Sequence, residues 1–143
     1  MKRMCLMKAD THNYKHTLRV YYEDTDCGRI VYHANFLKFM ERSRTEWLYH
    51  LGYGDKALHG YGIGFAVTSV DLHFKQPAKV GQLLEVSAAV SASRRASMTF
   101  SHEIYCKKTG ALVCKGKVHV ACLNENLKPC RIPAELLEAL TGE

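Results

Sequence analysis

The sequence predicts an α+β domain, with one long apolar helix lying on one face of a five-stranded antiparallel sheet. Three observations carry this. Apolar residues recur at steps of three and four through "HANFLKFMERSRTEWLYHLG", the period of a helix face. From residue 62 the period changes to two and persists through four strand-length runs, the period of a pleated strand. A single β-rich run, "TLRVYYE", precedes the helix. Strands that cluster after one helix, rather than alternating with helices, argue for an antiparallel sheet over a parallel one.

Taken in order, residues 1 to 16 are polar and without period, and read as a loose extension to a single domain spanning 17 to 143. His12 and His16 there read as solvent-exposed. Residues 17 to 23 are rich in β-formers and read as the first strand. An acidic turn with Gly28 comes next, then the helix. Phe36, Met40, Ser43, Trp47 and Leu51 define its buried face, with Leu37, Arg44 and Leu48 alongside. Asn35 is placed to cap its start, and Gly52 to supply a left-handed stop. "GFAVTSVDLHF", "LLEVSAAVSAS", "ASMTFSHEIYC" and residues 111 to 123 are the four later strands. Pro77 and Gly81, the Arg94–Arg95 turn and "KKTG" separate them. "IPAELLEALTG" closes the chain as a short helix with Pro133 in its first turn.

A chain of 143 residues implies one domain, large enough to bury its own core without staples. No apolar run approaches the roughly 18 residues that span a bilayer, and the basic start lacks the apolar stretch of a secretory signal. A cytoplasmic protein is the expectation. The formal net charge is +6. That balance reads first as a solvated basic surface and, more sharply, as a site for an anion. No dense Lys/Arg run or nucleic-acid motif is present, so a phosphate-bearing small molecule is favoured over nucleic acid.

Cys106, Cys114, Cys122 and Cys130 are spaced eight apart. Eight is even, so Cys114 and Cys122 share one face of the last strand with Leu112, Gly116, Val118 and Val120. Structural zinc requires closer pairs of ligands. Buried free thiols, acting as small apolar residues in a reducing compartment, account for the spacing. His50, His59, His73, His102 and His119 are unclustered and read as structural or surface residues.

The chemistry concentrates in "YYEDTDCGRIVYHANF", residues 21 to 36. A calcium loop is rejected: counted from Asp24, Gly28 falls at the fifth position rather than the sixth, and no glutamate stands at the twelfth. Asp24 and Thr25 suit a structural role, hydrogen-bonding the turn. Asp26 is set apart by its downstream neighbours. Ile30, Val31 and Tyr32 carry the chain inward to His33, Ala34 and Asn35 at the start of the buried helix, where backbone N–H groups are unpaired and the dipole is positive. A carboxylate facing such a site is a nucleophile or base opposite an oxyanion hole, an arrangement suited to acyl transfer to water.

The run "YYEDTDCGRIVYHANFLKFMERSRTEWL" resembles the signature of hotdog-fold acyl-CoA thioesterases of the 4-hydroxybenzoyl-CoA thioesterase type. Within that type it is most similar to the bacterial family linked to the Tol-Pal system. The resemblance implies a hotdog fold and the hydrolysis of acyl-CoA to acid and CoA. It implies that Asp26 is the catalytic carboxylate, as nucleophile or general base, and that His33 is the helix-start residue whose N–H polarises the thioester carbonyl. Tyr32 would then lie beside the substrate. The "SRRAS" turn resembles one that offers arginines to the phosphates of coenzyme A, which makes Arg94 and Arg95 substrate-binding candidates. No metal or cofactor is implied. The chain departs from the family at Cys27 and Arg29, where small residues are common. A homo-oligomer, dimer or tetramer, is implied, with the site between protomers. Hydrolysis of acyl groups on an acyl carrier protein, or a weakly catalytic role beside a membrane-associated complex, is the alternative.

Overall fold

The computed structural model describes residues 12–142. Strand β1 (Asn13–Arg19) leads through a 3₁₀ turn (Tyr22–Asp24) to helix α1 (Asn35–His50) and a short helix α2 (Asp55–Gly60). Strands β2 (Ile63–Phe74), β3 (Leu83–Ser93), β4 (Ser97–Cys106) and β5 (Leu112–Asn124) come next, then helix α3 (Ala134–Thr141). The strands form one antiparallel sheet in the order β1-β3-β4-β5-β2. No helix among the described residues is long and apolar enough to cross a membrane.

The core lies between α1 and one face of the sheet. Phe36, Phe39, Met40 and Trp47 of α1 pack with Leu84, Val86 and Ala88 of β3, Met98, Phe100 and Ile104 of β4, and Cys114, Val118 and Val120 of β5. Ser43, fully buried on the same helix face, donates its hydroxyl to the Val86 carbonyl at 2.9 Å, so the one polar residue of the stripe is satisfied. Gly116 allows this approach: a Cβ there would collide with Leu72 and come within 3.1 Å of the Met40 methyl. Leu136 and Leu140 of α3 close the core from the other end.

His102 is the one buried histidine among the described residues. Its Nδ1 lies 2.8 Å from the Ser87 carbonyl and its Nε2 3.1 Å from the Arg44 guanidinium. A carbonyl only accepts and a guanidinium only donates, so the ring is the neutral Nδ1–H tautomer. Burial, reinforced by the Arg44 charge and opposed by the Ser87 bond, brings its pKa down to about 4. The structural reading of His102 therefore holds, and Arg44, read as flanking the helix face, is its partner.

Several local expectations are corrected. β1 begins at Asn13 and ends at Arg19, so residues 13 to 16 belong to the sheet, paired with Val86 to Ala89; residues 1 to 11 lie outside the described residues. The strand stops early because the Asp24 carboxylate accepts the Tyr21 N–H at 2.8 Å and draws the chain into the 3₁₀ turn. Asn35 does not cap α1. It is the first helical residue, Ala34 stands at the cap, and the Asn35 side chain is buried against Asp24. At the other end Gly52 is left-handed as expected (φ 88°). Tyr53 N–H bonds Leu48 O at 2.7 Å and Gly52 N–H bonds Tyr49 O at 3.1 Å, the paired closure of a Schellman stop.

Candidate active site

The acidic turn folds as a small hairpin. Asp26 N–H donates to Ile30 O and Arg29 N–H to Asp26 O, both at 3.0 Å, and Thr25 bridges Val31. Arg29 is left-handed (φ 63°). This is the pattern of a three-residue hairpin loop closed by a left-handed residue. The left-handed position of the loop thus falls on Arg29 and not on Gly28, although glycine is the residue that such a position favours. Gly28 instead donates its N–H to Asp26 Oδ1 at 2.9 Å. The hairpin is anchored to the segment before β3: Ile30 bridges Lys79, Val31 N–H bonds Ala78 O at 2.8 Å, and Val80 N–H bonds Arg29 O at 3.2 Å.

Asp24 and Asp26 have different surroundings. Asp24 is 3% exposed. Its two oxygens are occupied by Tyr21 N–H and by Asn35 Nδ2–H at 3.1 Å, and its carbonyl accepts Tyr32 N–H at 2.9 Å. It ties the strand end, the hairpin and the helix start together. Asp26 is exposed; one oxygen holds Gly28, and the other has no partner among the described residues.

The far arm of the hairpin runs directly into α1. Asn35 N–H bonds Tyr32 O, Phe36 N–H bonds His33 O and Leu37 N–H bonds Ala34 O, at 2.8, 3.4 and 3.2 Å. The first helical amides are thus consumed by tight-turn bonds. Among the described residues the N–H groups of His33 and Ala34 find no acceptor, and both residues are exposed. The His33 ring is packed 4.5 Å from Tyr32 and edge-on to Phe74 at 6.3 Å. Phe74 also meets Phe36 at 5.8 Å. Two unsatisfied amide donors and an aromatic wall therefore share the mouth of α1, and the hairpin that carries the free carboxylate of Asp26 leads directly into it. Phe74 escaped sequence reading because its position depends on the antiparallel return of β2.

Arg94 and Arg95 do not join this site within one chain. They occupy the β3–β4 turn, whereas the hairpin adjoins the start of β3 and the end of β1. The ten residues of β4 separate the two ends by roughly 30 Å at the strand rise. At that far end Arg94 and Arg95 line a concavity of about 300 Å³ with Ser93, Ile132 and a third cation, Arg131. Ile132 N–H donates to Arg95 O at 2.9 Å and fixes Arg131 beside the pair. Nothing local in the sequence marks Arg131, because its place depends on how the chain returns after β5.

A curved antiparallel sheet wrapped on one long helix, with an acidic hairpin at the helix mouth, defines the hotdog class of α+β fold. Residues 20–140 match the profile of the thioesterase-like superfamily, and the chain belongs to that family. It is 32% identical over 129 residues to the acyl-CoA thioester hydrolase YbgC of Escherichia coli O157:H7, covering 90% of this chain and 96% of that one. It is 34% identical over 130 residues to the acyl-CoA thioesterase YbgC of Haemophilus influenzae, covering 90% and 94%. Among solved structures, a probable thioesterase from Bartonella henselae superposes with a TM-score of 0.78 at 31% identity, covering 85% of this chain and 99% of that one. A 4-hydroxybenzoyl-CoA thioesterase complexed with 4-hydroxybenzoyl-CoA gives a TM-score of 0.84 at 17% identity, covering 91% and 99%; at that identity the likeness is one of fold.

Proposed function

We propose that this protein is an acyl-CoA thioesterase, hydrolysing the thioester to a free acid and CoA, with Asp26 as its catalytic carboxylate. The observation that carries this reading is the free oxygen of Asp26 on the hairpin that leads directly into the helix mouth, where the N–H groups of His33 and Ala34 are unpaired. A thioester carbonyl polarised by those amides develops negative charge where donors already wait. Asp26 then attacks the carbonyl carbon, giving a mixed anhydride that water opens, or it takes a proton from a water that attacks directly; CoA leaves as a thiolate. Tyr32 and Phe74 flank the acyl group. Label in Asp26 after a single turnover in heavy-oxygen water identifies the anhydride route with water opening at the Asp26 carboxyl carbon, whereas a trapped acyl-enzyme identifies that route whichever carbonyl water attacks.

The arginines enter through a second copy. The outer edge of β2 is unpaired among the described residues and carries exposed Val67, Val70 and Phe74. Two β2 edges meeting antiparallel about a two-fold axis bring the helix-mouth end of one chain beside the arginine end of the other. Arg94, Arg95 and Arg131 of one protomer then face the CoA phosphates bound at Asp26 of its partner. This supports a dimer as the smallest complete unit, with a tetramer as an assembly of dimers. A cytoplasmic location and association with the Tol-Pal system belong to the same reading and rest on the family resemblance.

Acyl groups on a carrier protein are the second reading. A concavity of about 560 Å³ lined by Arg19, Lys107 and Lys108 lies at the same end of the sheet as Asp26, and would offer cations to an acidic carrier. The deciding experiment is a hydrolysis screen across short, long and aromatic acyl-CoAs, with the same acyl groups presented on acyl carrier protein. Turnover of at least one CoA thioester with kcat/KM above its carrier-bound counterpart is expected. Turnover of carrier-bound groups alone would transfer the activity to the second reading, and no turnover of either would overturn both.

A further inference from the structure

Of the cysteines spaced by eight, the fold brings two together. After β5 the chain turns back on itself, so that Leu123 bridges Pro129 and Cys130 N–H donates to Cys122 O at 2.9 Å. The two sulfurs lie 3.7 Å apart, and no other sulfur pair among the described residues is within contact. Their surroundings differ. Cys122 is fully buried, and burial, then the neighbouring thiol, pushes its pKa up to about 12. Cys130 is the less buried of the two, partly exposed as a residue. Cys130 is therefore the candidate to meet a small reagent, with Cys122 as the resolving thiol.

We propose that Cys122 and Cys130 form a thiol oxidation site, closed to a reversible disulfide by a hydroperoxide. The Cys130 thiolate attacks the peroxide oxygen, forming a sulfenic acid and releasing water or an alcohol. The Cys122 sulfur then attacks the Cys130 sulfur, and its proton leaves with the displaced hydroxide as water. In sum, two thiols are oxidised to one disulfide and one peroxide is reduced. Closure shortens the sulfur separation from 3.7 Å to about 2.05 Å. The movement is delivered next to Arg131, whose carbonyl lies 3.9 Å from the Cys122 sulfur and whose neighbour Ile132 is bonded to Arg95. Oxidation thus repositions the arginine end of the molecule. The expected kinetic effect, which rests on that end binding CoA, is a severalfold rise in KM for acyl-CoA at unchanged kcat.

The test treats the folded full-length chain with hydrogen peroxide and measures intact mass and tryptic peptides without reduction. The expected result is the loss of two hydrogens from the intact chain and from the single tryptic peptide 118–131 that holds both cysteines, since Pro129 blocks cleavage after Lys128, and a linked peptide pair once a glutamate-specific protease cuts at Glu125, all reversed by dithiothreitol. Cys130→Ser should abolish the link, while Cys27→Ser, at the exposed thiol of the hairpin, should leave it intact. Oxygen addition confined to Cys27, or a link between other cysteines, overturns the proposal. A Cys122–Cys130 link that leaves KM unchanged keeps the oxidation site and overturns its coupling to the arginine end, whose CoA role is tested by replacing Arg94, Arg95 and Arg131, so the two claims fail separately.

Discussion

The molecule builds one turn twice, at opposite ends of its sheet. In the first hairpin Asp26 holds Gly28 N–H through its side chain, Arg29 N–H returns to Asp26 O, and Arg29 is left-handed. In the second Asn124 Oδ1 holds Asn126 N–H at 2.9 Å, Leu127 N–H returns to Asn124 O, and Leu127 is left-handed at φ 61°. Asn124 Oδ1 also accepts Lys128 N–H at 3.0 Å. The turn needs only a side-chain carbonyl oxygen at its first position, and an amide supplies it as well as a carboxylate. Stability of the hairpin therefore does not explain a carboxylate at 26. What the first turn has and the second lacks is an additional charged oxygen, on a hairpin that leads directly into α1.

The largest effect expected from this contrast is at Asp26. Asp26→Asn keeps the oxygen that accepts Gly28 N–H, as Asn124 does in its own turn, and removes the nucleophile or base. kcat for acyl-CoA should fall about 10²–10⁴-fold with the melting temperature unchanged. The reciprocal Asn124→Asp should leave kcat at the wild-type value. Near-wild-type turnover by a folded Asp26→Asn protein would break the comparison.

The second hairpin leads to Arg131 as the first leads to His33. Replacing Arg94, Arg95 and Arg131 together by Ala should raise KM for acyl-CoA and weaken its dependence on salt, with kcat little altered. A pantetheine thioester lacking the nucleotide should not register the change. Equal losses on both substrates would show that the arginines serve the fold.

Asp24 sharpens the comparison from inside the first hairpin. Asp24→Ala strands Tyr21 N–H and Asn35 Nδ2, two donors that now bond a buried carboxylate, at a cost of roughly 2 kcal/mol or more in chemical denaturation. Activity per folded molecule should fall less than for Asp26→Asn, with His33→Ala between them because the backbone N–H remains. A larger activity loss at Asp24 than at Asp26 would reverse the assignment of the two carboxylates.

The smallest effect is shared by both turns. Arg29→Gly and Leu127→Gly each relieve a left-handed side chain, and each should stabilise the protein by about 0.5–1 kcal/mol, read as a small rise in melting temperature. A gain at Leu127 without one at Arg29 would mean that Arg29 makes a compensating contact.

Features coded over a few residues were legible in the sequence, and those made by the return of the chain were not. The buried face of α1, the alternation of β3 to β5 and the left-handed Gly52 are local periods or single-residue preferences. The structural role of Asp24 was also readable, because acidic residues at such a position commonly hydrogen-bond the turn. Helix α2 was missed because its six residues bury no side chain, so no apolar period marks it. Asn35 looked like a cap by residue type, yet its amide is taken by Asp24, eleven positions away. Arg131, Phe74 and the Arg44–His102 pair depend on contacts across the fold that a linear pattern does not encode.

The length of β4 has a consequence in genetics. In the proposed dimer, where each chain holds its carboxylate and its arginines at opposite ends of the sheet, each working site would draw on two chains. A chain carrying Asp26→Asn and a chain stripped of its three arginines are each defective alone. Mixed in one cell, they assemble some pairs in which the sound carboxylate of one faces the sound arginines of the other. Lesions at the two ends should therefore complement each other, whereas two lesions at the same end should not.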